Sequence, residues 1–187
     1  MAGKNNPHIE KLIPRDCYKK HILIGGLNME RIWAPWRTVY IGKDHGSQCI
    51  FCDKLESAND EENHVLLRGD KTFVCLNIYP YNNGHLLIAP KRHVGDITDL
   101  DEEESLELFQ MTQKMVALLR KAFNPEGFNV GVNLGKIAGA GVPGHFHIHV
   151  VPRWGGDTNF MPVIGDVRVI SEGLNMTFEK LKEALED

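Results

Sequence analysis

No apolar run in this 187-residue chain approaches the roughly 20 residues that a membrane-spanning helix needs. Leu86-Leu87-Ile88-Ala89-Pro90 is typical of the longest ones. The N-terminus joins no basic region to an apolar stretch and a cleavage site, so the expectation is a cytoplasmic and not a secreted protein. Cysteine is scarce. Of the four, Cys17 and Cys75 are isolated, while Cys49 and Cys52 form Cys-Ile-Phe-Cys. That is no disulfide framework, and in a reducing compartment the pair reads as metal-binding or redox. An excess of one charge is also missing: the formal net charge is −4, with 42% hydrophobic and 25% charged residues. This composition excludes a disordered chain, a collagen and a coiled-coil rod, and argues against a general nucleic-acid binder. There is no internal repeat and no low-complexity tract.

Histidine, by contrast, is abundant, with nine residues, five of them between positions 85 and 149. Charge is unevenly spread: residues 1–45 carry eight Lys/Arg against four Asp/Glu, and much of the opposing acid lies in Asp101-Glu102-Glu103-Glu104 and at the C-terminus. Residues 1–28 have few periodic apolar positions and a glycine pair at Gly25-Gly26, and are expected to form a weakly ordered extension. Met29 is an alternative start, directly before the aromatic segment Arg31-Ile32-Trp33-Ala34-Pro35-Trp36-Arg37. A nucleic-acid role for this basic arm is the remoter reading; a solvated arm suffices.

From Cys49 onward the pattern is orderly. His64–Arg68 and Thr72–Asn77, separated by Gly69-Asp70, predict a hairpin. A turn cluster, Tyr79-Pro80-Tyr81-Asn82-Asn83-Gly84, precedes a buried strand over His85–Ala89 that Pro90 closes. Asp99 or Asp101 can cap a helix reaching Phe123, with Leu106, Phe109, Met115, Leu118 and Leu119 along one side. Gly127–Leu134 and Phe146–Val151 predict two more strands, joined by the glycine-rich stretch 135–144, and Thr177 can cap a last helix ending near Leu185. Strands and helices do not alternate strictly, which favours an α+β fold with an antiparallel sheet over a doubly wound one.

The most informative stretch is His145-Phe146-His147-Ile148-His149-Val150-Val151. On a strand, alternate side chains share a face, so the three histidines point one way and Phe146, Ile148 and Val150 point into a core. Three imidazoles beside a glycine-rich loop suit catalysis or metal binding, because glycines let the backbone approach an anion. Two other readings stand beside this one: three solvent-facing histidines, or a metal site using all three. The second is weakened by a spread of roughly 13 Å along an extended strand. Cys-X2-Cys is a spacing by which one turn presents two thiolates to a tetrahedral zinc, but it needs two further ligands. Its flanks lack the βαβ context of a redox pair.

These residues resemble the histidine triad family of nucleotide hydrolases and transferases. The resemblance runs over about residues 47–154. It includes Cys49-Ile50-Phe51-Cys52, Asn77 eight residues before His85, and Leu86-Leu87-Ile88-Ala89-Pro90-Lys91-Arg92-His93. Downstream, Arg153-Trp154-Gly155-Gly156-Asp157-Thr158-Asn159-Phe160-Met161-Pro162 is similar to the subgroup that degrades diadenosine tetraphosphate, as is Trp33-Ala34-Pro35-Trp36-Arg37. The resemblance implies a five-stranded antiparallel sheet with two main helices, a histidine triad domain over 29–187 with a C-terminal extension over 155–187, and a homodimer with its sheets joined across a two-fold axis.

It also implies roles. His147 would attack the α-phosphate to give a nucleotidyl-histidine, which water or phosphate resolves; His149 would contact phosphate and assist the leaving group. Asn133 would orient phosphate, and Gly139, Ala140, Gly141 and Val142 would offer it backbone donors. Gly139-Ala140-Gly141 stands where many relatives carry Gly-Gln or Gly-Ser, so a side-chain donor is missing. Asn77 would bind the ribose hydroxyls, Phe51 and Ile78 would wall the adenine with Trp154 near it, and His85 would support the nucleophile. Cys49, Cys52, His93 and His145 would close a structural zinc site; two reduced cysteines beside a hydrogen-bonded His145 are the alternative. Mg2+ could accompany the polyphosphate substrate, although no carboxylate cluster in the sequence is dedicated to it. The functions open at this point are cleavage of dinucleoside polyphosphates, a nucleoside phosphoramidase of the adjacent branch, and a non-catalytic nucleotide- or partner-binding protein.

Overall fold

The computed structural model describes residues 49–158 and 169–186. The expectations for residues 1–28, for the segment Trp33 to Arg37 and for Asn159-Phe160-Met161-Pro162 lie outside these described residues. The elements run α1 (Ile50–Glu56), β1 (Val65–Arg68), β2 (Thr72–Leu76), β3 (Leu86–Pro90), a 3-10 turn (Ile97–Asp99), α2 (Glu102–Phe123), β4 (Gly127–Val132), β5 (Ile148–Arg153) and α3 (Leu174–Glu186). The strands form one sheet in the order β1-β2-β3-β5-β4, and every neighbouring pair is antiparallel. The fold is the α+β arrangement expected, and among the described residues α1 is a third helix in addition to the two foreseen.

Central position explains the apolar runs. Every residue of β2 and β3 is buried, because both strands have hydrogen-bonded neighbours on both sides and side chains packed on both faces. The hairpin forms at Gly69-Asp70, where the Gly69 N–H bonds to the Thr72 carbonyl at 2.9 Å. One face of the sheet carries Val74, Leu76, Leu86, Ile88, Phe146 and Val150 against Met115, Leu119, Phe178 and Leu181 of α2 and α3. The other face carries a smaller cluster of Phe73, Cys75, Leu87 and Ala89 with Phe51 of α1, with Val142 packed against it. The histidines lie on that second, less covered side.

Helix α2 starts in a capping box: Asp101 Oδ1 accepts from the Glu104 N–H at 2.7 Å and Glu104 Oε2 from the Asp101 N–H at 3.0 Å. It ends at Asn124, which takes a left-handed conformation with φ 46° ahead of a proline that cannot continue a helix. Its buried face is Leu108, Met111, Met115, Leu118 and Leu119, while Leu106 and Phe109 are 60% and 64% exposed. The expected face was therefore rotated. Leu106 stands two residues, about 200°, from Leu108. Thr177 does not cap α3: the helix begins three residues earlier, and the Thr177 N–H already bonds to the Gly173 carbonyl. Strand β5 begins at Ile148, two residues later than expected, because the Phe146 N–H bonds to the Val94 carbonyl outside the sheet. His145 and His147 thus lead into β5, and only His149 lies within it.

Candidate active site

Helix α1 brings two thiols together by starting at its Cys49 cap and placing Cys52 one turn on. His93 follows β3, and the chain there runs close to 143–146: a Cβ on Gly95 would stand 3.1 Å from the Pro143 carbonyl oxygen. His145 arrives from that segment. Its Nδ1 lies 3.3 Å from Cys49 Sγ and 3.7 Å from Cys52 Sγ, and His93 Nδ1 lies 3.4 Å from Cys52 Sγ. All four donor atoms fall within 4.8 Å of one another. Donors on a tetrahedron with metal bonds of about 2.0–2.3 Å stand roughly 3.3–3.8 Å apart. The opposite ring nitrogen of His145, Nε2, donates to the Pro90 carbonyl at 2.8 Å. That bond leaves the Nδ1 lone pair aimed at the thiols, as a ligand histidine requires. The donor set fits zinc. Burial, then the neighbouring Cys49, raises the Cys52 thiol to about 11, and a divalent cation would offset both effects.

His147 is buried, 5% exposed. Its Nδ1 donates to the carbonyl of His145 at 2.8 Å, because a carbonyl can only accept. Nε2 is therefore left with its lone pair. Burial lowers its pKa below the usual imidazole value, partly opposed by that hydrogen bond, which keeps the ring neutral. Phe51 packs on both His145 and His147, with ring centroids 5.0 Å away in each case.

A second chain of hydrogen bonds sets His149. The Tyr81 backbone N–H donates to His85 Nδ1 at 3.0 Å, and Asn77 Nδ2 approaches the same nitrogen at 3.3 Å. His85 consequently carries its proton on Nε2, which lies 3.0 Å from His149 Nδ1. His149 accepts there, and its own proton sits on Nε2. The rings of His147 and His149 stand 4.9 Å apart. A ring nitrogen with its lone pair and an N–H donor thus lie on neighbouring rings.

The glycine-rich loop is partly self-bonded. The N–H groups of Gly139 and Ala140 bond to the carbonyls of Lys136 and Gly135 at 3.0 and 3.2 Å, so these two donors are turned inward. Gly141 and Val142 follow them, and the Val142 carbonyl accepts from the His145 N–H. Asn133 Nδ2 reaches the Gly139 carbonyl at 3.5 Å. Asn77 bridges within its turn, with Oδ1 accepting from the Tyr79 N–H at 2.9 Å, and Ile78 beside it is 43% exposed. Phe51 is 1% exposed, a support beneath the histidines more than an open wall. Trp154 follows the far end of β5 from His147, on the order of 20 Å along an extended strand. It is not brought beside Phe51 within this chain. Sequence reasoning passed over Tyr81 and the Pro90 carbonyl. Tyr81 sat in a segment whose only signal was a turn, and a backbone carbonyl leaves no sequence signal at all.

The HIT domain family profile matches residues 58–156, and this chain belongs to that histidine triad family. It is 41% identical over 157 residues to the AP-4-A phosphorylase of Mycobacterium tuberculosis, covering 80% of each chain. Among solved structures, a zinc-bound histidine triad family protein from Mycobacterium smegmatis superposes with a TM-score of 0.60 at 26% identity, covering 74% of this chain and 94% of that one. The diadenosine triphosphate hydrolase of Plasmodium falciparum shares the fold, with a TM-score of 0.53 at 22% identity, over 66% of this chain and 74% of that one.

Proposed function

We propose that this protein is a nucleotidyltransferase that cleaves dinucleoside polyphosphates, diadenosine tetraphosphate above all, at the α-phosphate through His147, with inorganic phosphate as acceptor. The observation that carries the reading is the pair of ring nitrogens: His147 Nε2 with its lone pair beside His149 with its proton on Nε2. The His147 lone pair forms an N–P bond to the α-phosphorus as the P–O bond to the leaving nucleotide breaks. The leaving phosphate departs as an anion, its oxygen accepting from the His149 N–H. The proton stays on His147 Nδ1, donated to the His145 carbonyl throughout, which fixes the tautomer that attack requires. In the second half a phosphate oxyanion attacks, the N–P bond breaks, and ADP forms. No proton need move. Water as acceptor would have to lose a proton, and His149 in this tautomer has no Nε2 lone pair to take it. The M. tuberculosis relative, a phosphorylase by name, supports the same acceptor.

The N–H groups of Gly141 and Val142 remain the loop's donors for the α-phosphate, with Asn133 orienting it, and Asn77 and Ile78 receive the nucleoside side. Mg2+ enters only as the polyphosphate's counter-ion. Cys49, Cys52, His93 and His145 would hold a structural zinc, which when bound would tie α1 to the segment leading into β5. This thiol-containing site suits the reducing cytoplasm, and no described helix is long and apolar enough to cross a membrane. The catalytic unit spans 29–187, with its core at 47–154, and residues 1–28 are an appendage to it. A homodimer would form through β4, which ends the sheet and leaves Val130 50% exposed.

The test is product analysis on diadenosine tetraphosphate with and without inorganic phosphate. ADP is expected only with phosphate. His147→Ala should lose turnover by at least about a thousandfold while still binding nucleotide. Full turnover by that variant would overturn the reading; AMP without ADP would move the acceptor to water.

A further inference from the structure

Tyr81 belongs to a turn built for rigidity. The Asn77 N–H bonds to the His85 carbonyl at 3.0 Å and the His85 N–H to the Asn82 carbonyl at 3.3 Å. Asn82 Nδ2 reaches across to the Pro152 carbonyl at 3.1 Å and Asp157 Oδ2 at 2.8 Å. Gly84 holds φ +71°, and a Cβ there would meet Leu119 and Pro152 at 3.1 and 3.2 Å. This frame delivers two parts of Tyr81 to the site. Its backbone N–H sits on His85 Nδ1. Its ring lies nearly parallel to His149, with an interplanar angle of 12° and centroids 5.7 Å apart, and 4.6 Å from the His85 ring.

We propose that Tyr81 is a positioning residue for His149: its ring holds the imidazole in the plane where His85 fixes the tautomer, and so aims the His149 N–H at the leaving group. The proposal rests on the transfer reaction above. A stacked aromatic neighbour restrains rotation of the flat imidazole, and a hydrogen bond of fixed direction is worth most when it needs no reorganisation as charge develops. Without the ring, His149 turns off His85 Nε2, its proton redistributes between its nitrogens, and departing oxygens lose their donor.

The test uses the full chain carrying Tyr81→Leu and Tyr81→Phe, and two measurements. The first is a series of aryl esters of AMP running from p-nitrophenyl to phenyl. Tyr81→Leu is expected to slow the phenyl ester about 10- to 100-fold and the p-nitrophenyl ester less than about threefold, since only the more basic leaving oxygen depends on a donor; Tyr81→Phe is expected to match the wild type. The second needs no turnover: nitrogen-15 NMR of the His149 ring. It should give one tautomer, protonated on Nε2, in the wild type and Tyr81→Phe, and a mixture in Tyr81→Leu. Equal slowing across the ester series, or an unchanged single tautomer in Tyr81→Leu, would overturn the proposal. If His147→Ala retained turnover, the transfer reaction would fall, and the ring spectra alone would decide the role of Tyr81.

Discussion

His145 divides its ring nitrogens between two tasks, and that division ties the Cys/His cluster to the sheet. Nε2 is spent on the Pro90 carbonyl at the end of β3, so Nδ1 has nowhere to turn but the thiols. Replacing His93 with Ala should lower bound zinc from one equivalent per chain to a small fraction, read by elemental analysis. Thermal unfolding should then fall by several degrees, because metal that binds only the folded chain stabilises it. The three described cysteines should separate chemically. Complete burial pushes the Cys75 thiol up to about 12, so it should resist alkylation in the folded protein at pH 8. Cys49 and Cys52 should become alkylated only after a chelator is added, as peptide mass spectrometry would register. Labelling of Cys75 before unfolding would contradict its place in the core. Of these residues, Cys49, Cys52, His93 and the three triad histidines were legible from spacing and resemblance. The hydrogen bonds that choose their tautomers were not, because they end on carbonyls and backbone N–H groups from distant segments.

Among the elements, α2 depends on its first turn. Glu104 is 3% exposed. It closes the capping box and receives Arg92 at 2.9 and 2.6 Å. Those bonds from Arg92 hold its carboxyl below the usual range against the opposing effect of burial, with the Asp101 N–H helping. Glu104→Gln should destabilise the fold by about 1 kcal/mol, low for a charge-assisted bond, since half of the Arg92 side chain is in solvent. A carboxylate whose pKa is lower folded than unfolded contributes fully above its unfolded value and loses that contribution as pH falls through the folded one. The gap in Tm between wild type and variant should therefore hold from pH 8 to 5 and narrow as pH falls below the unfolded value of about 4.3. A gap that did not narrow at all between pH 5 and acid unfolding would show that packing, not charge, was responsible. The helix, its Asp101 cap and its end at Asn124-Pro125 were all readable. Its face was not, since an exposed Leu106 and Phe109 look like core residues until the sheet beneath α2 picks a side. Thr177 misled similarly: a good capping residue stands inside α3 because the chain enters that helix earlier, at Leu174.

For the whole molecule, the asymmetric covering of the sheet decides where chemistry can happen. α2 and α3 seal one face, and the other, only partly covered, receives α1, the glycine-rich loop and the histidines. The sheet also ends at β4, a strand with exposed residues Asn129, Val130 and Gly131, and open sheet edges pair readily. A homodimer formed there should dissociate in Val130→Lys, because a charged side chain on an exposed edge strand opposes pairing. Light scattering would report the monomer and circular dichroism a retained fold; an unchanged dimer would place the interface elsewhere. The sequence by itself determined the element order, the central apolar strands and the chemical inventory, because hydrophobic period, capping residues and residue type are local properties. Only the tertiary structure decided which nitrogen of His145 and of His147 carries the proton, and that Tyr81 stacks on His149. Those facts depend on groups up to 96 residues apart in the chain meeting across one sheet, and no local pattern encodes the direction from which such a partner arrives.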